Sequence, residues 1–114
     1  MNILQQKLKY IKCIPFDDSN DSFELIILEF DSFGLHFKVD TDSDEILISE
    51  LPVTDFGTIE WSESEKYKDN EISFSWTCKN QDGYSDLFVI ALNDFKPNLL
   101  ITSASSQLFI LECH

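Results

Sequence analysis

The sequence predicts a mainly β fold, in which an antiparallel sheet of seven or eight short strands curls into a sandwich or an open barrel. One observation is the period-two alternation of apolar and polar residues in several short segments. Another is the tight turns that separate these segments, since a parallel sheet would need crossover helices for which the spacing leaves no room. At most one or two short helices are expected.

Two segments show the alternation most clearly, residues 33–39 and residues 72–78. In a strand, alternate side chains point to opposite faces, so each segment is expected to bury one face and expose the other. The exposed face of the first would carry His36 and Lys38. The side chains expected to face the core are Phe33, Leu35, Phe37, Val39, Ile72, Phe74, Trp76 and Cys78.

The other predicted strands are residues 9–14, 23–30, 45–51, 86–92, 98–102 and 107–113. Residues 88–92 and 108–111 are continuously apolar, which is typical of strands covered on both faces. Asn2 could cap a single helical turn through Leu8, and a short helix is possible within residues 62–69.

Several connections have the composition of hairpin turns. Asn80-Gln81-Asp82-Gly83 lies between two apolar segments, and its Asp-Gly pair is a strong turn signal. Residues 31–34 and 40–44 are expected to form two more turns.

Length and composition indicate one domain over residues 1–114. Its 43% hydrophobic content, with ten Phe, favours a folded domain over a disordered chain. No segment approaches the ~20 apolar residues that cross a bilayer, and the start lacks the apolar region of a signal peptide. Three cysteines far apart do not form a disulfide framework, so we expect reduced thiols and a cytoplasmic location.

The charge of the chain is concentrated in its first two thirds. Residues 17–71 hold seventeen of the 21 acidic residues and three lysines, a net charge of −14, and the chain contains no arginine. A surface of this sign repels nucleic acid and anionic lipid and attracts a basic partner. We therefore expect no nucleic-acid or membrane partner.

Neither calcium nor zinc is expected. Residues 40–45 alternate carboxylates like a calcium loop, but Glu45 and Leu51 stand where an EF-hand needs Gly and a bidentate Glu. The three cysteines and two histidines lack the close spacing of a zinc site, because the adjacent Cys113 and His114 would point to opposite faces of a strand. The sequence predicts no cofactor.

Catalytic motifs are also absent, including a nucleophile elbow, a phosphate-binding glycine loop and a His-Glu-x-x-His helix. His36 is expected on the polar face of its strand, where a surface histidine paired with a carboxylate is commoner than a catalytic one. Paired carboxylates for glycoside hydrolysis remain an alternative.

Trp61 lies within an acidic segment, and two interpretations are open. It could be an exposed anchor at an interface, since Trp is enriched at binding hot spots. Alternatively, it ends a short strand that starts at Thr58 and packs into the core.

The segment Asn80-Gln81-Asp82-Gly83-Tyr84-Ser85-Asp86, which follows Trp76, resembles a small uncharacterised bacterial domain family. In that family a Trp-bearing strand leads to an Asn-Gln-x-Gly-Tyr-x-Asp turn, and a serine-containing segment, here residues 103–106, precedes the last strand. In size, acidity and cytosolic character, the chain also resembles in type the immunity proteins of contact-dependent and polymorphic toxin systems. That resemblance implies binding to a toxin domain, often a basic nuclease, and no catalysis.

The sequence therefore predicts a non-catalytic binding protein, most specifically an immunity protein that neutralises a basic, nuclease-like toxin through an acidic surface. The alternatives are a small carboxylate-dependent hydrolase or carbohydrate-acting β-domain that uses His36, and an accessory domain whose acidity serves solubility. The oligomeric state stays open. The predicted contact residues are Asp17, Asp18, Asp21, Asp40, Asp42, Asp44, Trp61, Glu63 and Glu65.

Overall fold

The structure, a computed structural model, describes residues 3–17, 21–52 and 57–113. Its strands are β1 (Tyr10–Pro15), β2 (Phe23–Glu29), β3 (Gly34–Val39), β4 (Ile46–Leu51), β5 (Ile59–Glu60), β6 (Ile72–Lys79), β7 (Ser85–Leu92), β8 (Pro97–Ala104) and β9 (Gln107–Glu112). A 3-10 helix, Ser64–Tyr67, lies within the segment predicted to hold a short helix.

The strands form one antiparallel sheet whose order along the main path is β4-β3-β2-β9-β8-β7-β6. β1 pairs with β2 and β5 pairs with β1, beside this path. β2 joins β9 only at the pair Phe23 and Leu108, so the sheet curls there into a half-barrel. The predicted mainly β, antiparallel, curled fold is confirmed.

The core lies between the two halves of the curled sheet. Phe37 on β3 meets Phe88 on β7 edge to face, with ring centroids 5.0 Å apart. Both side chains are almost fully buried, as are their apolar neighbours on the inner face. These neighbours are Ile11, Ile26, Leu28, Leu35, Ile72, Ile90, Leu99, Ile101 and Leu108.

The prediction for residues 72–78 is wrong in one respect. Phe74, Trp76 and Cys78 do not face the core: Phe74 and Trp76 are 39% and 40% exposed, and Cys78 follows them on the same outer face. A β-bulge explains this: Ile72 pairs with Leu92 and Phe74 pairs with Ala91, so Ser73 is an extra residue in β6. The extra residue leaves Ile72 buried but turns the next side chains to the outer face.

The predictions for the two continuously apolar segments and for a helical turn near the start had different outcomes. Residues 88–92 are all buried, as predicted, whereas Leu111 in β9 is 48% exposed and thus not covered on both faces. No helix forms among residues 3–8, and Lys7 instead forms an isolated bridge with Glu71. The proposed cap, Asn2, lies outside the described residues.

In the part of the chain that the structure describes, no helix has the length and apolarity to cross a membrane.

Replacing Phe37 with Ala should lower the free energy of unfolding by about 3–5 kcal/mol, because it opens a cavity between the two halves of the sheet. Leu47→Ala is the control: Leu47 is 46% exposed, so its loss should cost less than about 1 kcal/mol. Urea unfolding of both variants measures the difference. Equal losses would contradict the assignment of the core.

Candidate functional site

Four connections of the sheet lie close together in the folded chain. The β1–β2 and β3–β4 turns lie at one end because β1 to β4 are antiparallel neighbours. The β8–β9 turn meets this end where Leu108 pairs with Phe23 at the start of β2, and the β6–β7 turn meets it across the curl of the sheet. Hydrogen bonds join three of these turns directly. The amide of Ser106 donates to Oδ1 of Asp44 (2.7 Å), and the amide of Ser85 donates to Oε2 of Glu45 (3.3 Å).

These turns bring carboxylates together from distant parts of the sequence. We call this region the acidic end and define it by seven side chains. Nearby lysines are Lys79, at the end of β6, and Lys38, near the end of β3. The seven side chains are Asp17, Asp21, Asp40, Asp42, Asp44, Glu45 and Asp82.

Local hydrogen bonds fix the backbone of two of these turns. Oδ1 of Asp40 accepts from the amide of Asp42 (2.9 Å), and Oδ1 of Asn80 accepts from the amide of Asp82 (2.9 Å). Gly83 takes the positive φ of 87° that the second turn requires. Such Asx turns leave Asp42 and Asp82 exposed to solvent, where their carboxylates can meet a partner.

Most lysines lie towards the opposite end of the strands, beside other carboxylates. Lys9 pairs with Asp31 (3.1 Å) and Lys12 with Glu29 (2.6 Å). Lys66 contacts both Glu63 (2.7 Å) and Glu112 (3.2 Å). The positive charge of the chain thus compensates carboxylates away from the acidic end, which leaves the molecule electrically asymmetric.

Trp61 follows β5 and packs into the core, with 9% of its surface exposed. Its amide donates to the carbonyl of Ile11 (2.8 Å), and its ring stacks on Tyr67 with centroids 6.3 Å apart. Oγ of Ser64 accepts from the amide of Ile11 (2.8 Å) and so holds the 3-10 helix against β1. The interpretation of Trp61 as a residue that packs into the core is confirmed, and its contact with a partner stays a prediction.

Two clefts, each of about 350 Å³, lie on either side of Trp61 and share Phe23, Trp61 and Ser62. Cys13, Pro15, Ile59 and Glu60 complete the first cleft. Asp21, Glu63 and residues 109–111 of β9 complete the second. Each cleft is therefore lined by apolar side chains together with at least one carboxylate.

The predicted contact residues fall into two groups. Asp17, Asp21, Asp40, Asp42 and Asp44 lie at the acidic end. Trp61, Glu63 and Glu65 lie on or near the 3-10 helix, where Glu63 is paired with Lys66 and Glu65 is exposed. Asp21 also lines the second Trp61 cleft, so it links the groups. Asp18 lies outside the described residues.

The sequence prediction missed Glu45 and Asp82 as members of the acidic end. The Asp-Gly pair places Asp82 in a turn, but alternation along a strand does not give the strand order. The hydrogen bonds of the folded chain show that the β3–β4 turn contacts both the β6–β7 and the β8–β9 turns.

The prediction that His36 lies on an exposed polar face is wrong, since its side chain is 5% exposed. It lies on the outer face of β3, in register with Ile27 and Ser49. Gly34 leaves room for its ring: a Cβ there would lie 3.0 Å from Ile27 and 3.3 Å from Nε2 of His36. Among the described residues, Nε2 has no hydrogen-bond partner. Burial, and secondarily the charge of Lys38, lowers the pKa of His36.

Neither Trp61 cleft includes His36, so the structure does not bring this imidazole to the carboxylates of those clefts. Residues 40–45 form a hairpin turn that is closed by a hydrogen bond, which the amide of Asp40 donates to the carbonyl of Glu45 (2.8 Å). Within the described residues, no group of three or more His, Cys, Asp and Glu side chains is arranged to hold a metal ion.

Ser64→Ala should lower the free energy of unfolding by about 1–3 kcal/mol, because it leaves the buried amide of Ile11 without its acceptor. The neighbouring Ser62 is exposed, and Ser62→Ala should change the free energy by no more than about 0.5 kcal/mol. Chemical unfolding of both variants is the measurement. A neutral Ser64→Ala would show that the 3-10 helix is held in another way.

The lowered pKa of His36 predicts a loss of stability in weak acid. Above the unfolded pKa of about 6.5, the residue is neutral in both states. Below it, the unfolded chain binds a proton here that the folded chain does not, so the free energy of unfolding falls with pH.

His36→Leu should remove this part of the decline between about pH 7.5 and about pH 5.5, measured by urea unfolding. His114→Leu, which removes the other histidine, is the control and should keep the decline. If His36→Leu changed the slope no more than its control, the burial of a neutral imidazole would be contradicted.

No curated protein and no solved structure gives a significant match to the chain. A family model matches residues 1–114, which is the whole sequence. The chain belongs to DUF6334, a family of unknown function.

Proposed function

We propose that this protein is a non-catalytic binding protein whose acidic end engages a cation-rich protein partner. In its most specific form, it is an immunity protein that neutralises a basic, nuclease-like toxin domain. The observation that carries the proposal is the convergence of seven carboxylates from three turns, together with the location of most lysines towards the opposite end.

The chemistry of a nuclease explains why such a surface would inhibit it. A nuclease needs a positive groove for the phosphates of its substrate. Carboxylates on neighbouring turns can occupy that groove in place of phosphates. Because the Asx turns fix the side chain of Asp40 and the backbone of Asp42 and Asp82 before binding, less ordering entropy is lost in the complex.

The asymmetry of charge also favours fast association. Opposite potentials on two surfaces raise association rates above the ~10⁵–10⁶ M⁻¹s⁻¹ of neutral pairs, and added salt reduces this gain. For an immunity protein, rapid capture is useful because the toxin must be bound before it reaches its substrate.

The contacts of the Trp61 clefts argue against the alternative of a carboxylate-dependent hydrolase. Asp21 and Glu63 share one cleft, but the carboxylate of Glu63 is engaged there by the ammonium of Lys66, 2.7 Å away. A glycoside hydrolase needs one carboxyl group in its protonated form to act as the acid. His36, the other acid–base candidate, lies outside these clefts.

The test uses two triple variants that change the net charge equally. Asp40→Asn, Asp42→Asn and Asp82→Asn remove three of the seven negative charges of the acidic end. The amide oxygen that Asp40→Asn introduces can still accept the hydrogen bond that closes its turn. Asp31→Asn, Asp69→Asn and Asp94→Asn neutralise exposed carboxylates at the opposite end and serve as the control. A basic partner is first captured from the native host with the wild-type protein and then purified.

The acidic-end variant should associate with this partner about tenfold more slowly at low salt, and the control should stay within about twofold. Stopped-flow association at several salt concentrations measures both. If the partner is a toxin, only the acidic-end variant should also lose growth rescue on co-expression. Equal slowing of the two variants, or capture of no basic protein, would contradict the proposal.

A further inference from the structure

The outer face of strands β6 to β9 carries three rows of uncharged side chains, mostly apolar. The register aligns Trp76, Val89, Leu100 and Leu111 in one row across all four strands. Rows on either side repeat the pattern. They consist of Cys78, Leu87, Thr102 and Phe109, and of Phe74, Ala91 and Pro97. We call these three rows, with Phe95 beside them, the apolar face.

The most exposed side chains of this face are aromatic. Phe95, in the β7–β8 turn, is 72% exposed. Its ring centroid lies 5.0 Å from that of Phe74, which in turn lies 5.5 Å from that of Trp76. Three clustered aromatic rings in contact with water are unusual on a monomer and mark an interaction site.

The apolar face differs from the rest of the molecule in charge. None of the side chains in its three rows is charged, although the chain has a net charge of −13. At the acidic end, two copies approaching each other would bring carboxylates together. On the apolar face they would bring apolar groups together instead, so this face suits contact between two strongly anionic molecules.

We propose that the apolar face binds a second copy of this chain in a symmetric dimer, with the two sheets packed face to face. A basic partner is attracted to the acidic end, whereas an uncharged face gives it no electrostatic gain. Packed sheets keep their strands nearly aligned. With the two copies antiparallel across a two-fold axis, the acidic ends lie at opposite extremities and remain free.

The size of the face sets the expected strength. Four strands ~4.8 Å apart and three rows of side chains cover about 400 Å² in plan. Val89 and Ala91 are buried, so the accessible part of the face is smaller and consists mainly of Phe74, Trp76, Phe95 and Leu111. The area is about that of the largest apolar patch on an ordinary monomer, which is often functional, and is below the ~800 Å² per partner of a standard interface. The dimer is therefore expected to form and dissociate with protein concentration.

Sedimentation equilibrium of the full chain, from low micromolar to submillimolar concentration, tests the proposal. The average mass should rise from the monomer's 13.2 kDa towards twice that value. Phe95→Asp, in a turn where it should not disturb the fold, and Trp76→Ser should each weaken the dimer about 30-fold or more. Leu47→Asp, on another exposed face, is the control and should leave it unchanged.

Two further readouts separate this dimer from other kinds of association. Added salt should strengthen it, because screening reduces the repulsion between two anionic copies while apolar contacts persist. Tryptophan emission should move to shorter wavelength on dimerisation through Trp76, since Trp61 is already buried. The acidic-end triple variant should still dimerise, so this proposal and the proposed function can fail separately.

A wild-type chain that stays monomeric over the whole concentration range would overturn the proposal. Dimerisation that Leu47→Asp disrupts as strongly as Phe95→Asp, or that weakens in salt, would also overturn it.

Discussion

The antiparallel register of the sheet determines where the charge of this protein lies. Antiparallel neighbours bring the β1–β2 and β3–β4 turns to one end, and the β6–β7 and β8–β9 turns meet that end across the curl of the sheet. Three of these four turns carry carboxylates. The hydrogen bonds from Ser85 to Glu45 and from Ser106 to Asp44 hold three of the turns together. The acidic end is thus a product of topology, because its members are separated by up to 65 positions in the chain.

This register depends in turn on the contact between the two halves of the sheet. Phe37 and Phe88 meet where β3 and β7 face each other, and the apolar side chains around them leave little room for another alignment. A shift of one residue in either strand would turn the buried side chains towards water. The same packing that stabilises the fold therefore positions the turns.

Alternation along the sequence predicted most of the strands, but it did not predict correctly which side chains of β3 and β6 are buried. Phe74 and Trp76 follow the pattern of buried residues, yet a single extra residue, Ser73, turns them outward. His36 follows the pattern of an exposed residue, yet the outer face of β3 is itself covered at Ile27 and Gly34. For the candidate site, the acidic composition of the segment identified Asp40, Asp42 and Asp44. Glu45 and Asp82 could be assigned to the acidic end only from the contacts between turns in the folded chain. Bulges and strand order both depend on contacts between distant segments, which one sequence does not display.

The structure separates two surfaces that differ in physical character. The acidic end suits long-range attraction of a cationic partner, and the apolar face suits short-range contact with another anionic molecule. The most direct test of the acidic end is carboxyl-labelling mass spectrometry of the protein, alone and bound to its captured basic partner. Binding should protect Asp40, Asp42 and Asp82 from labelling, while Asp31, Asp69 and Asp94 should stay as reactive as in the free protein. Protection of the second set without the first would contradict it.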